Sequence, residues 1–311
     1  MQQNWDVIIV GGGSAGLSAA LMLGRSARRV LVVDEGRPRN RFAGHMHGVI
    51  GRDHTSPLDL LAAGRADLAR YEGVTIVEGK VAEASHGDDG IEVVLADGAR
   101  HRGRRLLVAT GLTDELSDLP GLAEQWGRGA FVCPYCDGWE QRGRRIVVLA
   151  GGPNAAHQAQ LMRQLSDEVT VLAQGVVLSP EVRAGLVARG IRVDDRVATS
   201  VVADERGELR GLLLDDGAEL PADALFIGPA PRPNDAVARL LGAEVAAHPA
   251  GGEFLVVDAM GRTSAPGVWA AGNVTDPRSS VPFAMAAGNF AGAAINADLV
   301  EEDVRAAVAA A

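Results

Sequence analysis

Short, wholly apolar runs alternate with stretches whose apolar residues recur at helical spacing, and glycine-rich turns mark two of the junctions. Residues 6–10 (DVIIV) read as a buried strand, followed by the turn GGGSAG and a helix through Leu23. Residues 29–34 (RVLVVD) make a second strand, residues 57–71 a helix, and residues 74–94 a set of short β runs. Residues 105–111 (RLLVATG) end another strand. The pattern then restarts: residues 145–149 (RIVVL) run into AGGPNA, a helix through Leu165 and the strand Val169–Leu172. Later strands are expected at 253–257 and 267–271, a small-residue helix at 283–299, and a frayed alanine-rich end after Asp303. Two successive strand–turn–helix–strand units predict an α/β fold with two doubly wound, Rossmann-like domains.

The first turn carries chemistry. Gly11, Gly13 and Gly16 form G-x-G-x-x-G directly after a strand. The first glycine permits the tight turn, and the second lets backbone approach a pyrophosphate. The third lets the helix pack closely, so that the N–H groups opening it at Ser14 and Ala15 face the phosphates. The second strand ends at Asp34, followed by Glu35, where a carboxylate accepts hydrogen bonds from a ribose. This constellation predicts a dinucleotide site and does not by itself separate FAD from NAD. The competing explanation is a glycine turn that serves helix–sheet packing alone.

Composition narrows the function. At 311 residues the chain is long for one hydrophobic core and suits about two domains. Its net charge of −10 repels a phosphate backbone, so no nucleic-acid partner is expected. No apolar stretch reaches the roughly 18 residues of a membrane span. The N-terminal run enters a strand without a basic segment before it, so the cytoplasm is the expected compartment.

Two cysteines cannot form a disulfide framework, but these two lie in Cys133-Pro134-Tyr135-Cys136-Asp137-Gly138. A C-x-x-C pair lowers the pKa of one thiol, and the thiolate is the attacking species in exchange. Asp137, beside the second sulfur, is placed to take or give the proton of each exchange. Half of a zinc site is the main rival. With no second cysteine pair, completion would fall to scattered histidines such as His45, His47, His54 and His157, and no metal is expected. A purely structural C-x-x-C is the other rival.

Four motifs in order resemble the low-molecular-weight thioredoxin reductases over nearly the whole chain. They are GGGSAG with Asp34, ATG at residues 109–111, CPYCDG, and TSAPGVWAAGN at residues 263–273. The resemblance implies a discontinuous FAD domain, residues 1–112 and 241–311, with a smaller central domain, residues 113–240, inserted. It places Thr110, Gly111, Gly272 and Asn273 with Gly11–Gly16, Asp34 and Glu35 in the FAD site. It implies that Cys136 exchanges electrons with the flavin, Cys133 with the substrate sulfur, that Asp137 handles protons, and that the protein is a homodimer.

Departures from that pattern are informative. The second turn has Ala150 at the first glycine position, where a Cβ crowds the turn. The family's basic cluster for the extra phosphate of NADPH falls at Ala173, Gln174 and Gly175. Losing that charge removes the bidentate contacts that favour NADPH. The nearest basic residue beyond is Arg183. The sequence thus speaks against NADPH and gives no positive sign of NADH. Asn273 stands at the family's usual aspartate, and Pro282 at its glutamine near the flavin ring. These features resemble a subgroup, the flavin-dependent dithiol oxidases of disulfide natural products of the holomycin and gliotoxin type. Such enzymes oxidise a small-molecule dithiol through the C-x-x-C pair and FAD, with oxygen as acceptor. An NAD(P)H-dependent disulfide reductase is the alternative, and a flavin redox sensor without turnover is a third reading.

His45 and His47 lie in a loop after the FAD acid that is expected near the cofactor. A histidine there suits deprotonation of a substrate thiol, although solvated or packed imidazoles are the more ordinary explanation. Trp139 is expected to pack the small domain rather than line a pocket, and His157 to be a surface or packing residue.

Overall fold

The computed structural model describes residues 4–88, 90–151 and 154–311. Gly152 and Pro153 of the second glycine turn, and the first three residues of the chain, lie outside them. The chain divides into two compact units. The first holds residues up to Arg41, Pro57–Thr113 and Pro231–Ala311, and the second holds Phe42–Ser56 and Asp114–Ala230. Two details of this division matter. Residues 231–240 go with the first unit because Val237 and Ala238 are buried in its core. The histidine loop, Phe42–Ser56, goes with the second.

The first unit is built on β1 (Asn4–Val10), α1 (Ser14–Arg25), β2 (Val30–Asp34), α2 (Pro57–Leu68), β3 (Val74–Glu78), β4 (Val81–Gly87), β5 (Gly90–Leu95) and β6 (Arg100–Val108). Its sheet runs β3-β2-β1-β6-β5-β4, and the strand Val268–Ala270 also pairs with β6. Pairs among β3, β2, β1 and β6 are parallel, whereas the β4–β5 and β5–β6 pairs are antiparallel. β1 from Val7 to Val10 and β2 from Val30 to Val33 are apolar throughout because both faces of this sheet are covered.

One face receives α1 and the C-terminal helix Val281–Ala310, which are joined through small residues. A Cβ on Gly288 would lie 2.0 Å from the Ala15 carbonyl oxygen, and one on Gly292 would lie 2.9 Å from that of Ala19. Glycine is therefore what permits this approach of backbones. The end expected to fray is helical to Ala310. Ion pairs of Arg104 with Glu302 and Asp303, and of Arg105 with Asp298, fasten this helix to β6.

The second unit carries a parallel sheet of β7 (Ala130–Phe131), β8 (Ile146–Leu149), β9 (Val169–Leu172), β10 (Arg192–Asp194) and β11 (Ala224–Phe226), in the order β10-β9-β8-β11-β7. The helix Ala155–Met162 covers one face. A three-stranded antiparallel sheet, residues 198–221, contributes Leu212 and Leu214 to the core on the other. The expected doubly wound α/β architecture is thus present. Among the described residues no helix is long and apolar enough to cross a membrane.

Candidate active site

In the first unit the chain leaves β1 into a turn whose glycines have distinct jobs. Gly11 adopts φ +106°, and a Cβ there would stand 2.4 Å from the Ala109 carbonyl oxygen. A Cβ on Gly16 would stand 1.9 Å from the Gly11 carbonyl oxygen. Both positions demand glycine for packing. Gly13 differs: a Cβ there meets no atom within 4 Å. That open space lies at the N-terminus of α1, where the first N–H groups have no helical acceptor and the first turn carries no acidic residue. It suits a pyrophosphate.

Asp34 accepts a hydrogen bond from the Gly12 N–H at 2.9 Å and pairs with Arg65, a residue that no sequence motif marked. Glu35 turns instead towards Lys80, at 3.8 Å. Thr110 and Gly111 follow β6, and Asn234 holds them. Its Nδ2 donates to the Thr110 carbonyl at 3.0 Å, the Thr110 hydroxyl donates to the Asn234 carbonyl at 2.6 Å, and the Asn234 N–H donates to Gly111. Gly272 adopts φ +83° beside Ala15, and a Cβ on it would come within 3.0 Å of the Ala15 Cβ. Contacts thus bring the Gly11–Gly16 turn, Asp34, the Thr110 corner and the Gly272 corner together as one candidate cradle.

Asn273 uses its amide inwards. Nδ2 donates to the carbonyls of Asp276 (3.0 Å), Pro277 (3.3 Å) and Ser279 (2.9 Å), stapling the loop that leads into the C-terminal helix. Three carbonyl acceptors fix the nitrogen as the inward atom.

In the second unit Cys133 and Cys136 form a disulfide, with 5.2 Å between their Cα atoms. Cys133 caps a single helical turn, α3 (Pro134–Asp137), and its carbonyl accepts from the N–H groups of Cys136 and Asp137. Pro134 suits the first helical position because its missing N–H would have had no acceptor. Gly138 closes the turn; a Cβ there would lie 2.3 Å from the Pro134 carbonyl oxygen, which explains the glycine of CPYCDG. Gln158 braces the segment by donating to the Val132 carbonyl at 2.7 Å.

Asp137 is partly buried next to the disulfide. Burial first, and then the negative charge of Glu140, push its carboxyl up from 3.8 to about 6, against the opposing pull of His47. His47 stands between two carboxylates, with Nδ1 3.6 Å from Asp53 and Nε2 3.6 Å from Glu140. His45 stacks on His54 at 4.4 Å. The fold thus gathers Cys133, Cys136, Asp137 and His47, and adds Glu140, Asp53 and His54, which no local motif revealed.

Trp139 does not pack the small domain as expected. It is 62% exposed, with the Arg142 guanidinium 4.3 Å above its indole, and Tyr135 is 78% exposed. The one-turn helix is too short to turn both aromatics inward. His157 is exposed on the helix Ala155–Met162.

At the positions where the family's basic cluster falls, Ala173 is buried and Gln174 adopts φ +51°. Its side-chain oxygen accepts from the Ala198 N–H at 2.6 Å, so it is folded back onto the antiparallel sheet of its own unit. Arg183 is paired with Asp195.

A profile of the family described as pyridine nucleotide-disulphide oxidoreductase matches residues 5–291. The chain belongs to that family. Within it, the chain is 35% identical to "Thioredoxin reductase tcpT" of Claviceps purpurea, over 96% of this chain and 95% of the relative. It is 31% identical to "Thioredoxin reductase sirT" of Leptosphaeria maculans, over 97% and 96%. The crystal structure of HlmI superposes with a TM-score of 0.93 at 38% identity, covering 100% of this chain and 98% of that one. The thioredoxin reductase-like character read from the motifs is borne out. This pyridine nucleotide-disulphide oxidoreductase is an FAD enzyme acting on sulfur groups, and the open space at Gly13 with the unclaimed N–H groups of α1 fits that cofactor.

Proposed function

We propose that the protein oxidises a small-molecule dithiol to a disulfide, with oxygen as the final acceptor. The observation that carries this reading is Gln174. Where a reductase needs cations for a nicotinamide phosphate, this chain has a neutral side chain bonded back to Ala198, between Ala173 and Gly175.

In the proposed cycle one substrate thiolate attacks Cys133, forming a mixed disulfide and releasing Cys136 as thiolate. The second substrate thiolate attacks the mixed disulfide, and the product disulfide leaves. Cys133 and Cys136 then hold the two electrons. Asp137 and His47 accept the protons of the two substrate thiols, the first tuned by burial and the second positioned between Asp53 and Glu140. Bound FAD, held by the Gly11–Gly16 turn, Asp34 and the Thr110–Gly111 and Gly272–Asn273 corners, supplies the acceptor for those two electrons and the route to oxygen. The balance is one dithiol and one O2 consumed for one disulfide and one hydrogen peroxide.

A nicotinamide-dependent disulfide reductase is the second reading, favoured by the thioredoxin reductase names that the relatives tcpT and sirT carry. Anaerobic flavin absorbance separates the two. Separate samples receive NADPH, NADH and a small dithiol under nitrogen. Bleaching by the dithiol alone, reversed by air with peroxide formed, is the expected result. Rapid bleaching by either nicotinamide overturns the oxidase reading in favour of the reductase.

A further inference from the structure

Among the described residues, one group of potential metal ligands has its donor atoms gathered in one place: His47, His54 and Glu140, all within 4.8 Å of one another. None belongs to a sequence motif with metal-ligand spacing, and no cysteine takes part. We propose that these three side chains form a site for a divalent transition-metal ion of the zinc class, with one coordination position left open.

The donor chemistry is right for such an ion. Two imidazoles and one carboxylate are a set that zinc accepts, with a fourth position for water. Zinc bonds of about 2.0–2.2 Å place tetrahedral ligand atoms roughly 3.4 Å apart. His47 Nε2 and Glu140 Oε1 already stand at 3.6 Å. His54 must close a gap of order 1 Å, and it is exposed, so the ring can reach the ion by leaving its stack on His45.

The surroundings add two independent observations. A metal-bound imidazole ordinarily gives its other ring nitrogen to a carboxylate, which fixes the tautomer and the ring. Here the other nitrogen of His47, Nδ1, faces Asp53 at 3.6 Å, and Asp53 is itself held by the Gly48 N–H at 2.8 Å. The backbone, meanwhile, keeps His54 in a costly conformation. His54 adopts φ +64°, a region that a non-glycine residue rarely occupies without cause. It is held there by its own N–H donating to Met46 and by the Met46–Thr55 bridge that closes the loop. The strained residue is thus the one that brings the second imidazole beside the first, with 5.3 Å between the His47 and His54 rings.

The site does not depend on the oxidase reading, since no cysteine or flavin contributes to it. On that reading it has a consequence: an ion there occupies the His47 imidazole, so metal occupancy and proton transfer by His47 exclude one another.

The test uses the FAD-loaded enzyme with its disulfide closed, so that the cysteines cannot compete for metal. Calorimetric titration with Zn2+ is expected to show one saturable site per chain. His54→Ala and Glu140→Gln should each weaken binding at least tenfold, Asp53→Asn by about tenfold, and His157→Ala not at all. Flavin absorbance confirms that each variant is folded, and Glu140→Gln, close in shape to the native side chain, covers the case in which His54→Ala is not. Absence of a saturable Zn2+ site, or binding that survives both Glu140→Gln and His54→Ala, overturns the proposal. Because turnover is never measured, either result leaves the oxidase reading to its own test.

Discussion

His47 and Glu140 face one another at 3.6 Å, though they lie far apart in sequence. Both bear on Asp137, whose carboxyl pKa is raised first by burial and then by Glu140, and lowered by His47. The acid following the cysteines is therefore tuned by a loop and a helical turn that no local pattern connects.

That tuning has a measurable pH signature. The Asp137 carboxyl rises from 3.8 to about 6 in the fold. A raised carboxyl pKa contributes stability that is complete below about 4 and is lost as pH rises through about 6, a swing of order 2–3 kcal/mol. Asp137→Asn should remove this component, flattening the decline in denaturant stability between pH 4 and 6. In the proposed cycle the ionised form accepts a proton, so anaerobic flavin reduction by a dithiol should accelerate as pH rises through about 6. In Asp137→Asn that limb should vanish and the rate fall by about 100-fold or more. An unchanged limb would assign it to another group.

Cys136→Ser should abolish flavin bleaching by dithiol while leaving the flavin spectrum and the fold in place. The side chain sits in a half-exposed helical turn, where replacing sulfur by oxygen disturbs little packing. Stopped-flow absorbance under nitrogen decides it. A bleaching rate within a few-fold of the native one refutes the assigned role.

How much of this was legible beforehand follows from how local each feature is. Gly11, Gly13, Gly16 and Asp34 were readable because their jobs are set within one strand–turn–helix–strand passage, which the fold joins by hydrogen bonds from Gly11 to Val33 and from Gly12 to Asp34. Arg65 on Asp34 and Asn234 on Thr110 were not, since each arrives from a distant segment with no motif of its own. Trp139 was misread because hydrophobicity alone predicts burial, whereas one turn of helix after a cysteine pair has no second face to bury it. The histidine loop was marked for His45 and His47, whereas His54 figured only among four scattered histidines, and its place beside them follows from its left-handed backbone.

The packing role of Gly16 and the phosphate-access role of Gly13 within the first glycine turn can be separated. Gly13→Ala places a methyl group in open space on an extended backbone, so the fold should persist by circular dichroism. The same methyl group obstructs the approach of a pyrophosphate, and FAD should be lost or bound at least tenfold more weakly. Gly16→Ala instead drives a Cβ to 1.9 Å from the Gly11 carbonyl oxygen and should give little folded protein. Retention of FAD by Gly13→Ala would move the phosphate site elsewhere.

Asn273 offers a sharper test because the change is one atom. Its Nδ2 donates to three carbonyls of the loop at Asp276, Pro277 and Ser279, and the helix Val281–Ala310 begins directly after that loop. Asn273→Asp puts a carboxylate oxygen where those carbonyls expect a donor, leaving acceptors to face an anion. The cost should be about 1–3 kcal/mol, the scale of a buried hydrogen bond lost without replacement. For a chain of this size that lowers the unfolding temperature by several degrees. Because the loop lies beside the Gly272 corner of the cradle, flavin should also dissociate faster, which fluorescence of released FAD reports directly. Asn273→Ser, which keeps one donor, should fall between the two. If Asn273→Asp melts and releases flavin like the native protein, the amide is not what holds this loop.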